Sequence, residues 1–338
     1  MNNWESYLKK SQLSWLLEED NPSVKYFTMV DLLDKPRDCP EVIRAKQEIL
    51  QKGIVPKILA KQKEEGYWEE ADKFYTNKYK GTVWQILILA ALGVNKNDDI
   101  RIEKACEFLL NHSQDKISSG FSICRNAKIG GGRHSGVIPC LTGNMVYSFI
   151  RLGYLTDQRI QRGIQWITDY QRFDDGIENL PRGWPYDQSD ACWGKHSCHM
   201  GVVKALKALA EIPVYQRNSE MKRTVERGVE YLLKHHIYKK SHDLSKVAKP
   251  GWLRLGFPLM YQDDILEILE IFTHLGVQDE RMQDAIQILL SKQDEQGKWK
   301  LENTFNGRFL VNIERKGEPS KWITMNALKV LKKYYGER

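Results

Sequence analysis

Six apolar segments of helical length recur along the 338-residue chain at a spacing of roughly 60 residues, and this repeat limits the fold more than any motif does. The segments are 24–33, 82–92, 141–152, 202–212, 265–275 and 322–331. A second set with a polar face lies between them, at 41–62, 101–112, 159–170, 220–235 and 281–292, and 4–18 begins that set. Few stretches alternate apolar with polar, and the apolar runs exceed strand length, so an all-α fold with almost no strand is expected. Two helix types alternating over six periods make a helical-hairpin repeat. An open solenoid needs polar caps, whereas the first and last repeats here, around Trp15 and Trp322, are as apolar as the middle ones. Closure is therefore expected: an (α/α)6 toroid with the more apolar helices inside, forming a single domain over 1–338.

Several helices of the second set end in a related turn. Gln62 is followed by Gly66 and Trp68, and Gln293 by Gly297 and Trp299 at identical spacing. Gln114 before Gly120 and Phe121, and Gln171 before Gly176, are looser copies. Glycine there supplies the positive φ that stops a helix, and the aromatic folds back as a staple between repeats.

Lys plus Arg exceed Asp plus Glu by 51 − 44 = 7, a mild positive balance. It suits a small anionic ligand or a weakly acidic partner and argues against nucleic acid, because no run of five or six basic residues occurs. The longest apolar run, 86–92, is far too short to span a membrane. MNNWESYLKK carries no secretory pattern, so a cytoplasmic protein with reduced thiols is expected.

The longest connections, 120–139, 174–195 and 238–260, precede the third, fourth and fifth apolar helices, and long loops in helical proteins tend to carry function. Cys124 and Cys140 flank the first, while Cys192, His196, Cys198 and His199 crowd the end of the second. Thiolates and imidazoles suit Zn2+, and in a ring the two clusters converge, which makes Cys140, Cys192, His196 and Cys198 the metal candidates, with Cys124 in reserve. His199 is then a pocket acid–base group or supports a ligand. Helix starts at Trp84, Asn144, Tyr147, Tyr261, Asp264 and Trp322 are expected to line a mouth, with Arg125, Lys128 and Arg254 near its rim. The loops 249–258 and 130–134 are read either as pocket or flap elements or as ordinary crossovers. No Gly-x-Ser-x-Gly pattern supports serine hydrolysis.

These residues resemble the α/α-toroid superfamily of protein prenyltransferase β subunits and squalene or oxidosqualene cyclases. The turns Gln62 to Trp68 and Gln293 to Trp299 are similar to the cyclase repeat motif. Gly120-Phe121 through Arg125 and Lys128 to Cys140 resembles the prenyltransferase segment that ends in a zinc cysteine, and His196-Ser197-Cys198 resembles the one carrying its zinc histidine. The resemblance implies zinc on Cys140 and His196, with Arg125 and Lys128 facing a diphosphate. Ile138 stands where that family has an aspartate ligand, so a further ligand would come from Cys124, Cys192, Cys198 or His199. Cys198-His199-Met200-Gly201 also resembles the Cys-His-Gly signature of lanthipeptide cyclases, with Met200 as a mismatch. A squalene-type cyclase needs a carboxylic acid to protonate an alkene. Asp174-Asp175 and Asp263-Asp264 are the candidates, although the full Asp-rich motif is absent.

Two functions follow. One is a zinc-thiolate enzyme acting on an apolar, prenyl or diphosphate-bearing substrate or a thiol, with Tyr79, Trp84, Tyr147, Tyr261 and Trp322 as its aromatic wall. The alternative is metal-free: a toroid that binds a peptide or lipid, or a terpene cyclase-like enzyme using Asp264.

Overall fold

The outer helices begin with a repeated clamp. Asp99, Asp157 and Asp279 each accept the backbone N–H of the arginine two residues on, at 2.9, 2.8 and 2.9 Å. The same oxygen accepts that arginine's Nε–H at 3.0, 3.0 and 2.9 Å, so the side chain is fixed as the helix is capped. The held guanidinium then reaches the preceding outer helix. Arg159 pairs bidentately with Glu107 at 2.7 and 2.8 Å, and Arg281 with Glu230 at 2.8 and 3.0 Å.

The computed structural model describes residues 3–336. Its helices are α1 (Leu13–Leu16), α2 (Pro22–Phe27, prolonged by a π-helical turn, Thr28–Leu32), α3 (Pro40–Gln51), α4 (Ile54–Leu59), α5 (Thr82–Ala91), α6 (Ile100–His112), α7 (Pro139–Arg151) and α8 (Gln158–Tyr170). They continue with α9 (Asp190–Trp193), α10 (His199–Ala210), α11 (Ser219–Lys234), α12 (Ile265–Leu275), α13 (Gln283–Ser291) and α14 (Lys321–Tyr335). The fold is all-α. Among the described residues the named strands are β1 (Lys239–Lys240) and β2 (Asp243–Val247), which form one antiparallel hairpin. No helix is long and apolar enough to cross a membrane.

Most residues of the apolar helices α2, α5, α7, α10, α12 and α14 are buried; the first five each pack against the polar-faced helix that follows, and α14 packs against the N-terminal 3-10 turn and α1. Along the chain α5 packs on α7, α7 on α10, α10 on α12, and α12 on α14, and α14 reaches back to α2 and its π turn. The α7–α10 contact is the tightest: a Cβ at Gly143 would lie 2.5 Å from the Lys204 backbone carbon. The buried apolar side chains form one continuous cluster from Leu16 to Leu331.

The aromatic staples are in place. Trp68 and Trp299 are fully buried, and their indole N–H groups donate to Ile58 O at 2.9 Å and Leu289 O at 2.7 Å. Their own backbone N–H groups, and that of Phe121, donate to the hydroxyls of Thr82, Thr324 and Thr142 at the starts of the neighbouring apolar helices. Gly66 and Gly297 are required twice over. Both have positive φ, 96° and 82°, and a Cβ at either would lie 2.5 Å from a backbone oxygen, of Lys104 and of Lys10.

Two expected helices are broken. The 41–62 segment stops after Gln51 because Gly53 takes φ 79°, and it restarts as α4. The 4–18 segment is a 3-10 turn followed by the single turn α1. Its backbone is engaged elsewhere: Lys9 N–H donates to Gln293 Oε1 and Lys9 Nζ to Gln293 O, both at 2.9 Å, and Gln12 Nε2 donates to Gln296 O. Further contacts join the two ends of the chain. Tyr7 stacks on Tyr335 at 3.9 Å, and Lys321 pairs with Glu18 at 2.8 Å.

Removing a staple empties a fully packed site. Trp299→Ala is expected to lower the unfolding free energy by about 3–5 kcal/mol, read from urea denaturation.

Candidate active site

The apolar helices line a cavity that opens to solvent at one mouth. Phe27, Leu87, Tyr147, Lys207, Asp264 and Trp322 bring all six apolar helices to its wall, and 256–259 closes one end. That end, at the helix starts, is dry: Asp264 is 1% exposed, Trp322 2% and Phe257 9%. Phe257 stacks on Trp322 at 4.1 Å with the rings 10° apart, and Phe27 lies 6.1 Å from the same indole. The opposite end, at the helix C-termini, is rimmed by Arg151, Glu211, His274 and Lys329.

Asp264 sits in the dry end because it caps α12. Oδ1 accepts the Glu267 N–H at 2.9 Å and Oδ2 the Gly256 N–H at 2.8 Å. Those two donors favour the carboxylate, yet burial outweighs them and, with the Glu267 and Glu270 carboxylates nearby, pushes the group up to about 7. At neutral pH a large share of it carries a proton.

Next to it runs a buried ion network. Fully buried Lys204 donates to both Glu267 oxygens at 2.8 and 2.6 Å and to Gln262 O at 2.8 Å. Lys207 donates to Glu267 Oε1 at 2.8 Å, with its ammonium 4.4 Å from the Tyr147 ring centre. Burial pushes Glu267 up, but the two ammonium groups override it and hold the carboxyl below its usual range. At the rim, Arg151 lies 3.4 Å from Glu211, and Lys329 lies 3.1 Å from Asp31.

Of the residues expected at a mouth, Tyr147, Asp264 and Trp322 line this cavity. Trp84 is buried outside its lining, with Nε1–H donated to Tyr75 O at 2.9 Å, and it packs beside Tyr261 at 6.2 Å. Asn144 donates to Met260 O at 2.9 Å and ties α7 to the connection before α12. Arg125, Lys128 and Arg254 are exposed, and Arg125 lies 3.5 Å from Asp72. None of the three lines the cavity.

The thiols of Cys140, Cys192 and Cys198 are near enough to influence one another, but burial pushes all three up, Cys192 to about 11, so they are held as thiols rather than thiolates. The His196 ring is 65% exposed, and its Nδ1 lies 3.1 Å from Asp175. Cys124 faces the Ser122 hydroxyl. His199 stacks on Trp252 at 3.9 Å, with Nε2 3.0 Å from Asp263 Oδ2. Among the described residues no three His, Cys, Asp or Glu side chains form a group able to hold a metal ion, so this donor set does not fit the Zn2+ that the sequence suggests. Asp174 is bound by Arg172 Nε at 2.6 Å. Burial would raise Asp175, but bonds from Ser241, Lys234 and His196 override it and hold it at about 2, which removes Asp175 as a proton source.

Sequence reasoning missed Arg151, Lys204, Lys207, Glu267, Glu270 and Lys329. The signal was available: charged residues spaced three apart within otherwise apolar helices, 204 with 207 and 267 with 270, must share one face.

No protein-family model matches the chain, and no curated protein does. Solved structures similar to it include a variant of the type II terpene cyclase MstE from Scytonema, in complex with geranylgeranyl dihydroxybenzoate. That match has 16% identity over 93% of this chain and 87% of that one, with a TM-score of 0.40. A protein from Actinoplanes is similar at 11% identity, over 85% and 99% of the two chains, with a TM-score of 0.30. A second MstE variant, without ligand, gives 14%, 86% and 98%, and 0.30. The site itself is read from its side chains.

Removing one partner of a buried ion pair leaves the other uncompensated. Glu267→Gln strands Lys204 and should cost about 3–5 kcal/mol of unfolding free energy in urea.

Proposed function

We propose that the six hairpins close into one single-domain (α/α)6 toroid and that the protein is a metal-free, terpene cyclase-like enzyme. Its reaction starts with proton transfer from Asp264 to a carbon–carbon double bond of an apolar prenyl substrate. The observation that carries this reading is a fully buried carboxylic acid, raised to about 7, at the aromatic end of a cavity lined by all six apolar helices.

The step balances within the chain's own groups. The Asp264 O–H bond breaks, its proton joins one alkene carbon through the π electrons, and the other carbon becomes a cation. Trp322 and Phe257 present aromatic faces that stabilise such a cation. A second double bond of the same substrate attacks it, forming the ring, and loss of a proton from the resulting cation restores neutrality and returns a proton equivalent. Each Asp264 oxygen keeps a lone pair beyond its one backbone bond, so the acid can be recharged without breaking its cap. The buried aromatic end around Asp264 keeps bulk water from quenching the cation.

The test is incubation with linear prenyl alcohols, diphosphates and prenylated aromatics in D2O. A cyclic product carrying one new C–D bond is expected, with the rate falling above about pH 7 as the acid ionises. Asp264→Asn should lose about 10²–10⁴-fold in kcat. Cyclic product from a fully active Asp264→Asn variant would overturn the assignment.

A stability measurement follows from the same shift. The folded state holds this proton up to about pH 7, whereas an unfolded aspartate releases it near 3.8. The stabilisation is therefore complete below about pH 4 and lost as pH rises towards 7. Relative to Asp264→Asn, the wild-type chain should lose unfolding free energy across that interval.

A further inference from the structure

Lys78 is half-buried, and among the described residues its ammonium meets no carboxylate and no hydrogen-bond acceptor. It faces aromatic rings instead. Nζ lies 4.5 Å from the Tyr261 ring centre, 5.0 Å from Tyr75 and 5.9 Å from Trp84. The three rings are set before any cation arrives. The Trp84 indole donates to the Tyr75 carbonyl, and the Tyr75 and Trp84 rings sit 5.0 Å apart at 38°. Tyr261 stands 6.2 Å from Trp84 at 61°, and Tyr79 backs the indole edge-on at 5.0 Å. Three faces from three positions, converging on one unpaired cation, make a box whose chemistry is recognition of positive charge without hydrogen bonding.

A primary ammonium is a poor occupant of such a box. Where it meets the rings it gives up hydrogen bonds to water without a protein acceptor to replace them, whereas a quaternary ammonium has no N–H to satisfy and presents methyl groups to the rings. Lys78 holds the place because it is tethered nearby, in the connection between the 3-10 turn Ala71–Lys73 and α5. We propose that the Tyr75, Trp84 and Tyr261 box is a binding site for a small quaternary ammonium compound, with Lys78 as its resting occupant. The site is separate from the Asp264 cavity, whose lining includes none of these residues.

The experiment uses the full chain and tetramethylammonium chloride, followed by isothermal titration against sodium chloride at equal ionic strength, with choline as a second probe. Lys78 is half-exposed and makes no hydrogen bond, so Lys78→Ala leaves the fold intact and vacates the box. Lys78→Ala should bind both probes with millimolar dissociation constants, roughly tenfold tighter than the wild-type chain. Adding Tyr261→Leu to that variant should abolish binding, with circular dichroism confirming the helical fold. Absence of saturable binding by folded Lys78→Ala overturns the proposal. So does equal affinity in wild type and Lys78→Ala, or retained affinity after Tyr261→Leu.

Discussion

The cavity exists because the two ends of the chain meet. Lys9 and Gln12 bond to Gln293 and Gln296, Tyr7 stacks on Tyr335, and Lys332 Nζ donates to Leu32 O at 2.9 Å. The N-terminal segment thereby packs against the last helix of the chain. Other glutamines at this turn bond forward along the chain: the Gln62 amide donates to Arg101 O and the Gln114 amide to Arg159 O, both at 2.8 Å, whereas Gln293 accepts from Lys9 N–H through Oε1. At the seam the partner is the start of the chain itself. Without that seam α14 would have no α2 to pack on, and the charged inner faces would open to solvent.

An enclosed cavity sets the energetics of what lines it. Lys204 and Glu267 are tolerated in the interior because each satisfies the other and Gln262 and Lys207 complete the set. Asp264 has no cation of its own. It relies on two backbone N–H groups, which stabilise its charge less than an ammonium would, and so it retains a proton that Glu267, three residues on, has given up. Two carboxyls on one helix turn are driven in opposite directions by their partners, the arrangement that separates an acid from a structural anion.

Much of the fold was legible in the sequence. The roughly 60-residue repeat and the Gln–Gly–Trp turns are local signals, and local signals survive translation into structure. The broken first outer helix was not legible, since Lys9 bonds a residue 284 positions away. The site was half legible. Asp264 and Trp322 stand at helix starts, where position alone predicts their facing. The zinc reading depended on where His196 turned, and its pairing with Asp175 across an isolated bridge is a tertiary fact. Counting cysteines and histidines also says nothing of burial, and burial keeps these sulfurs protonated.

The central claim is that one buried carboxyl keeps its proton near neutrality. Its direct measurement is a 13C NMR titration of the side-chain carboxyls in protein labelled at aspartate, with the Asp264 resonance assigned from the Asp264→Asn spectrum. The account predicts a resonance that titrates with a midpoint near 7. A midpoint below about 5, in the ordinary range for aspartate, would contradict it.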